Sequence, residues 1–136
     1  MHLAIDGFDG EAKKLWDKEL ITQFLIEYPD ALKMHRITEP KVVNYEDPKG
    51  TDSGISGFVI IAESHISIHT FPDRNYVNID IFSCKAFDNE KALNDAKKLL
   101  GLKNVKTWVL DRGLEWLSSA EGQRQMDAQR TELSPD

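Results

Sequence analysis

Residues 63–84 read Glu63-Ser64-His65-Ile66-Ser67-Ile68-His69-Thr70-Phe71-Pro72-Asp73-Arg74-Asn75-Tyr76-Val77-Asn78-Ile79-Asp80-Ile81-Phe82-Ser83-Cys84. Two alternating stretches flank a Pro-Asp-Arg-Asn turn. Successive side chains of a strand point to opposite faces. In the first stretch Ile66 and Ile68 therefore share one face, and His65, Ser67 and His69 share the other. In the second, Val77, Ile79, Ile81 and Ser83 oppose Asn78, Asp80, Phe82 and Cys84. Two such strands joined by a short turn make an antiparallel pair. A hydroxyl, two imidazoles and a thiol on neighbouring apolar strands are costly without a task, because a buried unpaired polar group loses about 1–3 kcal/mol.

Outward from this hairpin, residues 58–62 are continuously apolar and are expected to form a buried strand. Residues 47–57 carry Pro48, Gly50, Gly54 and Gly57 and read as a loop. Lys41 to Tyr45 reads as a short strand. Near the N-terminus Leu3 and Ile5, with Gly7 and Phe8, mark a first strand. From Gly10, Leu15, Trp16, Leu20, Phe24, Leu25 and Tyr28 recur at helical spacing, and Pro29 is expected to end that helix. Asp88 is a candidate N-cap for a helix over 88–100, which Gly101 stops. Residues 105–110 form a last strand. This order predicts an α+β fold: a two-layer sandwich with a largely antiparallel sheet and two helices on one face. Residues 1–113 read as one domain and 114–136 as a polar tail, a frayed helix or disordered over 121–136.

The 136 residues suit one domain, and 40% hydrophobic with 29% charged residues is ordinary for a globular protein. The net charge of -6 and the lack of a basic stripe argue against nucleic acid or an anionic membrane as partner and suit a cationic small molecule. One cysteine excludes an intrachain disulfide and fits a reducing cytoplasm. No apolar run is long enough to span a membrane, and the first residues lack the basic flank and apolar core of a signal peptide.

Three chemistries fit the polar residues. A zinc set of His65, His69, Asp80 and Cys84 is disfavoured, since the two histidines lie about 13 Å apart along one strand and no pair has usual ligand spacing. A Cys-His hydrolase would use Cys84 as nucleophile and His69 as base, although a strand cysteine is more often inert core. Finally, Ser64 at a strained junction can attack its own preceding carbonyl. The peptide becomes an ester, and elimination leaves a dehydroalanine that hydrolyses to a pyruvoyl group. That chemistry needs a hydroxyl, a polarised carbonyl, a base and an oxyanion donor. Glu63, Ser64, His69 and Ser56 are the right types. Read from the residues alone, the simpler account prevails: Ser64 is a turn residue and Glu63 a solvated edge.

The run Glu63-Ser64-His65-Ile66-Ser67-Ile68-His69-Thr70 resembles the processing motif of the short prokaryotic S-adenosylmethionine decarboxylases. The likeness extends through Gly54-Ile55-Ser56-Gly57 upstream and Asp80-Ile81-Phe82-Ser83-Cys84 downstream. The resemblance implies an α/β sandwich assembled as a homodimer. It implies self-cleavage between Glu63 and Ser64 into chains 1–63 and 64–136, with Ser64 becoming a covalent pyruvoyl cofactor. Ser56 and His69 would assist cleavage. Cys84 would return a proton to the substrate carbon, and Glu63 would stand near the substrate. The product would serve spermidine synthesis, and no metal is implied.

Phe71 stands where the family usually has Trp, Lys85 where Gly is common, and residues 34–52 depart from the family pattern. Tyr45 is the aromatic of that stretch that would stack on adenine. The alternative substrates are ornithine or arginine, whose second cationic group an acidic residue such as Asp80 or Asp52 would hold. A non-catalytic regulatory relative is a further alternative, expected to have lost Ser64, His69 or Cys84; all three are present.

Overall fold

The computed structural model describes residues 1–112. The elements are β1 (His2–Phe8), α1 (Ala12–Leu15), α2 (Lys18–Ala31), β2 (Lys41–Tyr45), β3 (Gly54–Ile61), β4 (Ser64–Phe71), β5 (Tyr76–Ser83), α3 (Asn89–Leu100) and β6 (Asn104–Leu110). The strands make one sheet in the order β2-β3-β4-β5-β1-β6, and every neighbouring pair is antiparallel. The helices pack on one face of it. The α+β two-layer expectation therefore holds, with α1 as a short addition.

The alternation read from the sequence sets the core. Leu3 and Ile5 of β1, Ile55, Val59 and Ile61 of β3, Ile66 and Ile68 of β4, and Val77, Ile79 and Ile81 of β5 are buried, with Ile21, Phe24 and Leu25 of α2 and Ala92, Ala96 and Leu100 of α3. The Asp88 carboxylate accepts the Lys91 N–H at 3.0 Å, and Gly101 closes α3 in the left-handed conformation with φ 66°.

Four expectations are corrected. The first helical segment is two helices: Asp17 breaks the run and caps α2 by accepting the Leu20 N–H at 3.0 Å. Pro29 lies inside α2 rather than ending it; the helix continues to Ala31. β3 begins at Gly54, within the expected loop. Residues 58–62 are not uniformly buried: Phe58 is 46% exposed and Ile60 41%, because they point to the face that carries no helix. Continuous apolarity is the pattern of a strand covered on both sides, and here one side of the protomer is open. Val43, Tyr45, Trp108 and Leu110 are also exposed.

The same open face carries His65, Ser67 and His69, so these groups are not core residues; His65 and His69 are exposed. Thr70 is the polar side chain of β4 that is buried. Its hydroxyl accepts the Ile55 N–H at 2.9 Å and donates to the Leu15 carbonyl at 2.8 Å, tying α1 to the sheet beside His69. Nearby, a Cβ on Gly54 would stand 1.8 Å from the Thr70 carbonyl oxygen, so only glycine fits. Thr70→Val, which leaves both partners unpaired in the core, is expected to lower unfolding stability by about 1–3 kcal/mol in a denaturant titration.

Candidate functional site

β3 and β4 are joined by a two-residue loop, Ala62–Glu63, since Ile61 pairs with Ser64. Ser64 has φ 156°, a backbone conformation that glycine adopts freely and other residues rarely do. The pairing of Ser64 with Ser83 brings the end of β5 to this tip. The next residue, Cys84, donates its backbone N–H to the Glu63 carbonyl at 2.9 Å. The carbonyl that Ser64 would attack is thus already polarised by a fixed donor, the arrangement that stabilises a developing oxyanion.

The Glu63 side chain is only 3% exposed. Its carboxylate accepts the His35 backbone N–H at 2.9 Å and lies 2.9 Å from His35 Nδ1, with Lys85 Nζ at 3.8 Å. Burial alone would push this carboxyl up, but the bonds from the His35 N–H and imidazole outweigh it and hold the group below the usual glutamate range. Glu63 is therefore a buried, clamped anion and not a solvated edge. His35 carried no sequence signal, because an isolated histidine after a helix reads as a surface residue.

A second cluster lies at the far end of β4. Ser56 and His69 face each other across β3 and β4, with Oγ and Nδ1 2.8 Å apart. They line a cleft of roughly 500 Å³ with Tyr45, Phe71 and Tyr76, where Arg74 pairs with Asp52 at 2.8 Å. Tyr45 is thus not the sole planar side chain available. Phe71 and Tyr76 stand opposite each other across the β4–β5 turn with ring centroids 5.8 Å apart. Strand alternation from His69 through the turn was the signal that places these two rings with it.

The two clusters do not meet within one protomer. Ser64 and His69 are five residues apart on one strand, about 16 Å at strand rise. Cys84 lies at the Ser64 end, so within one chain it forms no nucleophile–base pair with His69. Asp80 lies between the clusters, opposite Ser67, with its carboxylate 2.8 Å from His2 Nε2. Among the described residues no group of three or more His, Cys, Asp or Glu side chains converges as metal ligands, and the set His65, His69, Asp80 and Cys84 is not assembled.

The fold thus sets a serine in a rarely adopted backbone conformation at a hairpin tip, beside a polarised carbonyl. The family model for S-adenosylmethionine decarboxylase matches residues 1–113. A S-adenosylmethionine decarboxylase proenzyme of Clostridium botulinum (strain Langeland / NCTC 10281 / Type F) is 38% identical over 113 residues, 82% of this chain and 92% of that protein. A proenzyme of the same description from Caldicellulosiruptor saccharolyticus is 32% identical over 114 residues, 83% of this chain and 87% of its own. The crystal structure of the adenosylmethionine decarboxylase from Aquifex aeolicus VF5 superimposes with a TM-score of 0.70 at 25% identity, covering 88% of this chain and 92% of that one. This chain belongs to the S-adenosylmethionine decarboxylase family.

Proposed function

We propose that this protein is a self-processing, pyruvoyl-dependent decarboxylase of S-adenosylmethionine, acting in the spermidine branch of polyamine synthesis. One observation carries the reading: the carbonyl preceding Ser64 accepts the Cys84 N–H while Ser64 itself holds φ 156°. The residues fit the cofactor. Cleavage at Glu63–Ser64 would leave the pyruvoyl group at the head of β4, beside Cys84. When present, that group supplies an electron sink for the carbon that loses carbon dioxide.

The chain's own residues have separate tasks. The Cys84 N–H holds the Glu63 carbonyl during cleavage, and the Cys84 thiol returns a proton to the substrate carbon. The Glu63 carboxylate, buried and kept ionised by His35, leaves negative charge close to where a cationic substrate would bind. His69, bonded to Ser56, is the base for the elimination. The cleft of Tyr45, Phe71 and Tyr76 receives the adenine. With Ser64 and His69 about 16 Å apart on one strand, His69 of one protomer serves Ser64 of its partner. A homodimer formed through the open faces, with the two β4 strands crossing antiparallel, brings the two half-sites together. The exposed Phe58, Ile60, Val43 and Trp108 on that face are the apolar area such an interface covers.

No helix among the described residues is long and apolar enough to cross a membrane, and we place the enzyme in the cytoplasm with its single cysteine reduced. Carbon dioxide release is measured with S-adenosylmethionine, ornithine, arginine and lysine supplied separately. Release from S-adenosylmethionine alone is expected; release from ornithine or arginine in its place overturns the substrate assignment. Base–aromatic stacking contributes about 1–3 kcal/mol. Tyr45→Ala is therefore expected to raise KM for S-adenosylmethionine roughly ten- to a hundred-fold without altering self-cleavage. Phe71 and Tyr76 moderate the effect towards the lower figure. Asp80→Asn, whose carboxylate is held by His2, is expected to change that KM little.

A further inference from the structure

We infer that His35 is a positioning residue for self-cleavage, clamping both residues of the β3–β4 loop so that the Glu63–Ser64 bond keeps its reactive conformation. The inference rests on cleavage at Ser64 as proposed above. His35 follows α2 in a short segment that runs beside the hairpin. Its carbonyl accepts the Ala62 N–H at 2.7 Å. Its own N–H donates to Glu63 Oε1 at 2.9 Å, and its Nδ1 lies 2.9 Å from Oε2. A carboxylate only accepts, so the ring proton sits on Nδ1. The segment stays attached to the hairpin beyond this point. Arg36 bridges Ile61, and the Ile37 N–H donates to the Ile60 carbonyl at 3.1 Å.

The burial of the two partners is lopsided. The His35 side chain is 73% exposed and the Glu63 side chain 3%. An imidazole that exposed gains little from packing, so its ordered contact is the bond to the carboxylate. A buried carboxylate in turn requires donors, and His35 supplies two of them.

Glu63 is consequently held from two directions, its carboxylate by His35 and its carbonyl by the Cys84 N–H. The peptide group between residues 63 and 64 cannot turn without breaking one of these bonds. That restraint explains how Ser64 keeps φ 156°, since such a conformation persists only when its surroundings over-determine it. Attack by a hydroxyl on the neighbouring carbonyl depends on alignment, so loosening the loop slows it.

The test uses the full chain made by cell-free translation, with cleavage followed by intact mass. His35→Ala is expected to slow cleavage about tenfold, the rate equivalent of one modest hydrogen bond. His35→Asn, whose side-chain N–H reaches the same carboxylate oxygen, should recover most of the rate. Glu63→Gln should slow cleavage too. The double variant His35→Ala/Glu63→Gln should be no slower than Glu63→Gln alone, because the imidazole acts on the loop only through the Glu63 carboxylate, the backbone bonds of residue 35 being kept in alanine. A purely structural His35 would instead lower the melting temperature and leave the cleavage rate of folded protein unchanged. Wild-type cleavage accompanied by an equal rate in His35→Ala, or by additive losses in the double variant, overturns the clamp and leaves the Ser64 chemistry standing. A wild-type chain that never cleaves overturns the reading beneath it.

Discussion

Ser64→Ala is expected to leave the polypeptide as one chain, whereas the wild type separates under denaturing conditions into fragments 1–63 and 64–136. The second fragment should carry a blocked, carbonyl-containing N-terminus. The Cys84 N–H and the His35 clamp remain in the variant, so the carbonyl is still polarised and the loop still held. What disappears is the nucleophile. Without Oγ no ester forms, no elimination follows and no pyruvoyl group appears, so decarboxylation should fall to the background level. Intact mass and carbon dioxide release read the two consequences separately. A wild-type chain still whole after long incubation would sink the pyruvoyl reading, and a Ser64→Ala chain that still cleaves would move the reaction to another residue.

The second large effect separates cleavage from turnover and one protomer from two. His69→Ala should slow cleavage strongly, because the elimination loses its base, whose contribution is typically about 10²–10⁴-fold. Cys84→Ala should cleave nearly as the wild type does, because the bond to the Glu63 carbonyl comes from the backbone N–H, which alanine retains. Its turnover should nevertheless fall, and misplaced protonation should convert pyruvoyl to alanine, visible as a mass change at the head of fragment 64–136. If Cys84→Ala turns over at the wild-type rate with its cofactor intact, the thiol is not the proton donor.

Co-expression carries this further. Alone, Ser64→Ala is expected to be uncleaved and His69→Ala to be cleaved only slowly. If His69 serves the partner's Ser64, a mixed dimer pairs the intact His69 of the first with the intact Ser64 of the second. Part of the His69→Ala chain should then be cleaved, with activity returning. Absence of any rescue in a demonstrably mixed dimer would place both residues in one protomer and contradict the 16 Å strand separation, about five residues at strand rise.

Much of this was legible in the residues because strand chemistry is local. The alternation of Ile66 and Ile68 against His65, Ser67 and His69 fixes which side chains share a face, and the turn at 72–75 fixes the pairing of β4 with β5. The cap at Asp88 and the stop at Gly101 bounded α3 for the same reason. Pro29 misled because a proline in the last turn of a helix gives up an N–H bond but need not end the helix at once.

The sequence by itself determined the strand faces and the two-layer α+β class, and it offered the candidate groups for the chemistry. Only the tertiary structure decided where those groups stand relative to one another. Alternation says that Phe58 and Ile60 oppose Val59 and Ile61, but not which side the helices cover, since helix docking is a contact between segments distant in sequence. The bond from the Cys84 N–H to the Glu63 carbonyl and the hold of His35 on Glu63 depend on register and on the path of the chain after α2. The separation of Ser64 from His69, by contrast, follows from the rise of a single straight strand, and it is why the proposed mechanism divides the candidate residues into two half-sites and calls on a partner.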